Sequence, residues 1–545
     1  MTRLGLLTTA ALAVATVATP AFAQEGRQQR RASVQPYIEV GQVLTADLGN
    51  GGDVLTYSTV SAGIDASIQT RRVQVQASYR YEHRFSYDKK VADDSIHSGL
   101  VTARVVAAPG FTLEAGGIAT RARSDIRGDA AVNPVGNVRN TSQVYSAYAG
   151  PSLSTHLGPM FVNGAYRFGY TKVEAPVGGT GLAAGTQPLD VYDSSTVHVA
   201  TASVGVKSGT VLPVGLTASG SYTRENAGQL DQRYEGKFGR GDAVLPIGRG
   251  LAVAGGVGYE KIQISQRDPL LTAGPNPVPV VDAAGRQVTD PNSPRRIAYD
   301  FDGIFWDAGV IWRPSRRTFL EARVGKRYGS WSYTGSFSYQ IGPGSGVQIG
   351  VYDSIESFGR QLNGGLATLP NSFLTNGDPL GNQNSSCVFG TAGNAAGSCM
   401  NGILASTTTG NYRARGVTGV LVLGRGGTQF GVGGGYSRRS FIAPSTGTGN
   451  GININGVTDE TYYGQVFASQ SLGRNASLGG NAYLSYYDSG LPGADGVMGW
   501  GANAVYTQRF GPIGATLAAG VSGFEGQAND SATSAQALIG LRYGF

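Results

Sequence analysis

The side chains with most chemistry to offer are few and scattered. Cys387 and Cys399 stand twelve positions apart in a stretch without histidine. An even cysteine count in an exported chain points to a structural disulfide rather than a metal or redox pair. Closing a loop of that length would stabilise it by about 3 kcal/mol. The histidines are His83, His97, His156 and His198. None adjoins a nucleophile in a recognisable motif, and no G-x-S-x-G elbow is present. Convergence of Asp–His or Ser–His groups in space stays open, but no catalytic residue is assigned and an enzyme is the least supported class. Asn376, Asp378, Asn382 and Asn384 carry oxygens that suit calcium. The same residue types are ordinary turn formers, so no metal or cofactor is assigned. Arg240-Gly241-Asp242 falls within an expected strand, which weakens an adhesion reading.

Arginines at alternate positions are more informative. Arg72, Gln74, Gln76, Ser78, Arg80, Glu82 and Arg84 interleave with Val73, Val75, Ala77, Tyr79 and Tyr81. Successive side chains of a strand point to opposite faces. A wall with lipid on one side and water on the other needs this pattern, since an Arg facing lipid at the midplane costs about 2–4 kcal/mol. The expected lumen-facing charges are Arg72, Arg80, Glu82, Arg84, Arg167, Glu321, Arg323, Arg327, Arg413, Arg415, Arg509 and Arg542. Arg rings can select anions. The plainer role is pairing with acids such as Glu82 and Glu321 across strands. The pI near 9.2 does not imply nucleic acid, because no basic patch with interleaved aromatics stands apart from this pattern.

The elements that position these charges announce themselves at both ends. Ala535, Ala537, Ile539, Leu541 and Tyr543 recur at two-residue spacing before Phe545. This resembles the C-terminal signal by which bacterial outer-membrane β-barrels are recognised for assembly, with Ile539, Leu541, Tyr543 and Phe545 as its residues. At the other end Arg3 precedes an apolar run, Leu4 to Val17, and Ala21-Phe22-Ala23 before Gln24 fits secretory cleavage. The run is too short to span a bilayer as a helix. Removing residues 1–23 would leave 522 of 545 residues and lower the net charge from +7 to +6.

Composition agrees with strands in a membrane. Charged residues are only 14%, Gly numbers 84, and Tyr (27) far exceeds Trp (4). A β-solenoid would show a short constant repeat, and there is none. The alternation recurs in 22 segments between Gln35 and Phe545. Links after even-numbered segments are tight, as at Pro109-Gly110 and Gly511 to Ile513. Links after odd-numbered ones are longer, as at 125–140, 267–296 and 360–410. Short periplasmic turns and long external loops are the rule for these barrels. Transporters of this width usually hold an N-terminal plug. Strands beginning near Gln35 leave no room for one, so the lumen is expected to be open or filled by its own loops.

One stretch is more specific. Trp312-Arg313-Pro314-Ser315-Arg316-Arg317-Thr318, followed by Glu321-Ala322-Arg323-Val324-Gly325-Lys326-Arg327-Tyr328-Gly329, resembles a signature of the PEP-CTERM/exosortase-associated outer-membrane barrel family. Lys326 replaces the first Arg of that pattern. The resemblance covers about 30 residues and implies a role near envelope polysaccharide. It supplies no functional residues. Barrels of this appearance sometimes carry a preprotein-translocase accessory-subunit label, but nothing here resembles that small single-helix protein.

The expectation is therefore an all-β, antiparallel up-and-down transmembrane barrel of about 22 strands (20 to 24) without a plug domain. Residues 1–23 are a signal peptide, 24–34 a short periplasmic lead, and 35–545 the barrel, with a long external loop at 360–410. Both termini face the periplasm of an outer-membrane protein. The leading function is a pore or export channel for polar solutes or envelope polysaccharide. The alternative is a non-conducting scaffold or adhesin with glycan-binding loops. Implied partners are outer-membrane lipid and lipopolysaccharide, and the assembly machinery and periplasmic chaperones during biogenesis.

Overall fold

The computed structural model describes residues 32–48, 54–87, 94–125, 140–176, 189–374, 379–380, 387–392, 395–444, 453–491, 496–526 and 531–545. The expected cleavage site (Ala21, Ala23, Gln24) and the asparagine-rich set Asn376, Asp378, Asn382 and Asn384 lie outside these residues.

Strands β1 (Ala32–Asp47), β2 (Val54–Gln69), β3 (Val73–Ser86), β4 (Asp94–Ala108), β5 (Phe111–Arg123), β6 (Thr141–Leu157), β7 (Met160–Val173) and β8 (Ser194–Val206) open the chain. Next come β9 (Gly215–Ala227), β10 (Arg233–Gly248), β11 (Leu251–Gln266), β12 (Arg296–Ser315), β13 (Thr318–Arg327), β14 (Ser330–Gly342) and β15 (Ser345–Glu356). An insertion follows, holding α1 (Phe358–Ala367), the hairpin β16 (Cys387–Ala392) and β17 (Ala395–Cys399), and α2 (Asn401–Leu404). The chain ends with β18 (Asn411–Arg425), β19 (Thr428–Ile442), β20 (Thr458–Ser471), β21 (Ala476–Ser489), β22 (Val497–Phe510), β23 (Ile513–Glu525) and β24 (Ser531–Gly544).

All but the hairpin form one 22-stranded antiparallel sheet. β15 pairs with β18 across the insertion, and β24 pairs with β1, closing the ring. Closure leaves no unpaired edge. The strands match the expected segments to within about three residues, so period-two alternation located them well. β1 starts at Ala32, three residues into the expected lead. Among the described residues no helix is long and apolar enough to cross a membrane.

The two rims differ. One carries turns of a few residues, several tightened by a glycine at positive φ such as Gly110 (78°) and Gly511 (63°), where a Cβ would be strained. Both ends of the sheet lie at this rim, where Phe545 N donates to Pro36 O. The other rim, the mouth, carries the long connections. Outward positions are apolar and exposed, as at Val60 and Ile64, Val253 and Val257, and Ile539, Leu541 and Tyr543; Ile304 is 72% exposed. So much exposed apolar surface suits lipid, not water.

Candidate functional site: the lumen and its insertion

The insertion does not project from the mouth as an external loop. It folds back into the barrel and touches wall after wall. Ser357 caps α1, its Oγ accepting from Arg360 N. Phe358, Leu362 and Leu366 then pack on inward residues of β4 to β7: Leu100, Ile118, Val144 and Val173. Farther on, Phe373 N donates to Gln76 Oε1 (3.0 Å), near the turn end of β3. Leu380 joins Val43, Tyr57, Val505, Ala518 and Leu538 of β1, β2 and β22 to β24. Cys387 N donates to Gln465 Oε1 of β20 (2.9 Å). The segment thus runs from mouth to turn end and returns. Apolar lumen residues explain this path, because they need cover from water.

Three features pin it. Cys387 and Cys399 form the disulfide expected from the sequence, across the β16–β17 hairpin. It sits against Gly433, where a Cβ would come within 2.5 Å of Cys387 Sγ. At the mouth, Glu225 of β9 accepts from Arg360 Nη1 (2.5 Å) and Ser357 Oγ (2.7 Å). The Arg360 guanidinium also stacks 3.6 Å from the Tyr234 ring centroid. Arg360 is 6% exposed and Glu225 3%. The return limb is held where Arg439 donates to Ser406 Oγ (2.8 Å) and pairs with Asp459 (2.6 Å).

A different surface lines β10 to β13. Arg240 bonds Asp242 and Asp307, with 2.6 Å to Asp307 Oδ2. Arg323 bonds Asp242 (2.8 Å), Asp307 (3.0 Å) and Glu321 (2.7 Å). Gly256 makes room, since a Cβ there would lie 2.3 Å from Arg240 Nη2. Nearer the mouth Arg327 pairs with Glu260 (2.5 Å) and lies over Phe305. Among the described residues the Arg240–Asp242–Asp307–Arg323–Glu321 network makes no hydrogen bond or ion pair to the insertion. Arg240 and Asp242 thus face inward, away from any external partner of an Arg-Gly-Asp motif.

The other expected lumen charges divide. Arg80 joins Glu39 (3.1 Å) and Glu82 (2.8 Å), and Arg84 joins Glu82 (2.7 Å). Gln76, on the same face, touches the insertion, so this face is internal. Arg167 lies over the Tyr148 ring, which packs in the α1 cluster. Arg542 pairs with Asp65 (2.6 Å) above the Tyr37 ring. Arg509 lines, with Arg474 and Arg542, a cavity of about 590 Å³ at the turn end. Arg72 is exposed in the turn before β3.

Arg413 and Arg415 do not line the lumen. Their neighbours Tyr412 and Ala414 are fully buried, and Tyr412 Oη donates to Gln361 Oε1 of the insertion (2.8 Å). Alternation therefore turns Arg413 and Arg415 outward, with exposed Val417. They pair there with Asp353 of β15, at 2.7 and 3.5 Å. Charge is tolerated outside because these residues sit near the mouth, beyond the apolar belt.

The sequence pattern offers Arg240 and Asp242 only as part of an Arg-Gly-Asp motif and does not single out Asp307, Glu260, Arg360 or Glu225. The first four were visible as charges alternating within recognised strands. The Arg360–Glu225 contact spans 135 positions and leaves no local signal.

Three histidines sit on the outward face or its rim. His97 Nδ1 meets Tyr79 Oη (2.6 Å), His198 Nδ1 meets Tyr166 Oη (2.8 Å), and His83 Nδ1 meets Ser95 Oγ (2.9 Å). His156 is exposed beside the β6–β7 turn. Among the described residues no cluster of three metal-ligating side chains occurs.

At the mouth the connections enclose a cavity of about 160 Å³, walled by Asp190, Gln287, Ile454 and Tyr487 and floored by Thr407 and Thr408 of the insertion. Asp190 Oδ1 accepts from Gln287 N (2.8 Å) and Gln229 Nε2 (2.6 Å), while its Oδ2 is shut from solvent and has no hydrogen-bond partner among the described residues. Burial pushes its carboxyl up to about 7.

No protein-family model matches the chain, and no curated protein matches it. Among solved structures it is similar to the ferric-catecholate import receptor Fiu of E. coli K12 (10% identity, 93% of this chain, 81% of that one, TM-score 0.42). It is likewise similar to the FrpB iron transporter of Neisseria meningitidis (10%, 93% and 81%, TM-score 0.41) and to OpdQ of Pseudomonas aeruginosa (10%, 94% and 98%, TM-score 0.27).

Proposed function

We propose that this is a gated outer-membrane channel for a polar solute, with its insertion, residues 357–410, as the gate. One observation carries the reading. The insertion is docked by apolar packing on β1, β2, β4 to β7, β18, β20 and β22 to β24, while the charged network of β10 to β13 faces the lumen without it. Paired charges line a wall past which a hydrated solute can move. In this reading the turn rim and both termini are periplasmic, and the strand ending Ile539, Leu541, Tyr543 and Phe545 is what the assembly machinery recognises. The signature-like stretch 312–329 contributes Glu321, Arg323 and Arg327 to the lumen. Together with the PEP-CTERM/exosortase resemblance, that supports envelope polysaccharide or its fragments as cargo.

The test is single-channel conductance of refolded protein in a planar bilayer, beside Cys387→Ser/Cys399→Ser. Low or flickering conductance that rises to large steps in the variant is expected. Silence from both, with heat-modifiable folded barrels, would remove the channel reading. The insertion that fills so much of the lumen would then favour the second reading, a non-conducting surface scaffold.

A further inference from the structure

On the outward face near the mouth, a patch of three cations and a tryptophan spans the adjacent strands β13, β14, β15, β18 and β19, with Asp353 of β15 inside it. Lys326 of β13 lies 5.7 Å from the ring of Trp331 on β14. Arg415 of β18 donates to Ser330 Oγ (3.0 Å) and reaches the Trp331 carbonyl. Arg415 stands directly opposite Arg438 of β19 in the ladder. Residues opposite one another share a face, so these three cations and Trp331 form one surface.

Its level in the wall is fixed by what lies beneath. Two residues nearer the turn rim, Tyr436, Tyr462 and Tyr486 form a row, with ring centroids 4.9 and 6.3 Å apart. Such a row marks the boundary between acyl chains and headgroups. The cations therefore stand at headgroup height, and they are open: Arg415 is 43% exposed, Arg438 49% and Trp331 50%. Their acid partners do not saturate them. Asp353 is shared between Arg413 and Arg415, Glu460 stands 3.7 Å from Arg438, and Lys326 has no carboxylate partner among the described residues. The short β13–β14 hairpin, beside the 20-residue β12, leaves a notch in the rim next to Trp331. By contrast, the described outward positions of β1, β2 and β24 carry no charge.

We propose that this patch docks the phosphates of lipid A in the outer leaflet, with Lys326, Arg415 and Arg438 on the phosphates and Trp331 against the sugar or upper acyl chains. Guanidinium forks suit phosphate oxygens. The proposal rests on the outer-membrane reading above.

The experiment titrates refolded protein in detergent with bis-phosphorylated lipid A, its dephosphorylated form, and phosphatidylglycerol. Bound lipid is counted by native mass spectrometry. Wild type should prefer bis-phosphorylated lipid A over both by about tenfold or more, and Lys326→Gln/Arg415→Gln/Arg438→Gln should lose that preference. Lys237→Gln/Lys261→Gln, on the outward face outside the patch, should keep it. Arg415→Gln alone, at an exposed position, covers the case in which the triple variant misfolds. Equal binding by wild type and variants, or equal binding of all three lipids, overturns the proposal. Heat-modifiable mobility and bilayer insertion are scored separately. A wild type that fails both removes the barrel reading, whereas one that passes both yet ignores lipid A removes only this inference.

Discussion

Two walls of one barrel, built from the same alternating strands, treat their interior in opposite ways. β4 to β7 turn Leu100, Ile118, Val144 and Val173 inward, and these are covered by Phe358, Leu362 and Leu366 of α1. β10 to β13 turn Arg240, Asp242, Asp307, Arg323 and Glu321 inward, and these satisfy one another. Apolar inward residues create a demand for cover, because each buried aliphatic side chain contributes about 1.5–3 kcal/mol. A self-neutralised charged wall creates none, because its members are bonded and can stay wet. The insertion therefore settles against the apolar inward surfaces and leaves the charged network of β10 to β13 without cover from it.

The contrast is broken most directly at the anchor. Glu225→Ala takes from the buried Arg360 its nearest carboxylate and leaves it Glu356 at 3.6 Å, which costs up to about 3–5 kcal/mol. Hydrogen exchange of residues 358–374 should rise steeply and conductance should increase. Glu225→Leu/Arg360→Met should recover much of the docking, since an apolar pair of similar volume needs no charge partner. Unchanged exchange in Glu225→Ala would show that apolar packing alone holds the insertion. Next in size is the disulfide. Cys387→Ser/Cys399→Ser removes about 3 kcal/mol of loop constraint. It should free the hairpin, read as proteolysis between 387 and 399, while α1 stays protected.

Arg323→Gln sharpens the other side of the contrast. Among the described residues it leaves Asp242 and Asp307 with Arg240 as their only ion-pair partner and Glu321 with none. The reversal potential in a salt gradient should move toward cation selectivity. Thermal stability should change by about 1 kcal/mol or less, because partly exposed pairs are worth little. A large stability loss with unchanged selectivity would mean that this wall is structural and not part of the passage.

What the sequence made legible follows from the range of each signal. Period-two alternation is local, so all 22 strands and the inward face of β3 could be found from it. The Cys387–Cys399 pair was legible from compartment and count. Arg413 and Arg415 were misplaced because charge was equated with lumen. That equation fails near the mouth, where the outward face meets headgroups and where Tyr412 and Ala414 claim the interior. The insertion's fate was illegible: its polar contacts join positions as far apart as 302 residues, as between Asn371 and Gln69. Gly364 and Gly365 also weaken any helical signal in α1.

The smallest effect concerns the mouth, where both walls end under the connections. Asp190 ties Gln229 and Gln287 together through one oxygen, the other is buried without a hydrogen-bond partner among the described residues, and burial raises its carboxyl to about 7. An acid whose folded pKa lies above its unfolded value favours the folded arrangement when protonated. That contribution is complete below the unfolded value near 3.8 and is lost as pH rises through about 7. Exchange of amides 286–290 should therefore quicken between pH 5 and 8 beyond the intrinsic chemical rate. Asp190→Asn, which keeps the acceptor for Gln287 N and cannot ionise, should flatten the dependence. If the variant retains it, another group at the mouth titrates. If wild type shows none, the cavity is wet enough to carry the charged carboxylate, and the connections do not close the mouth as tightly as their packing implies.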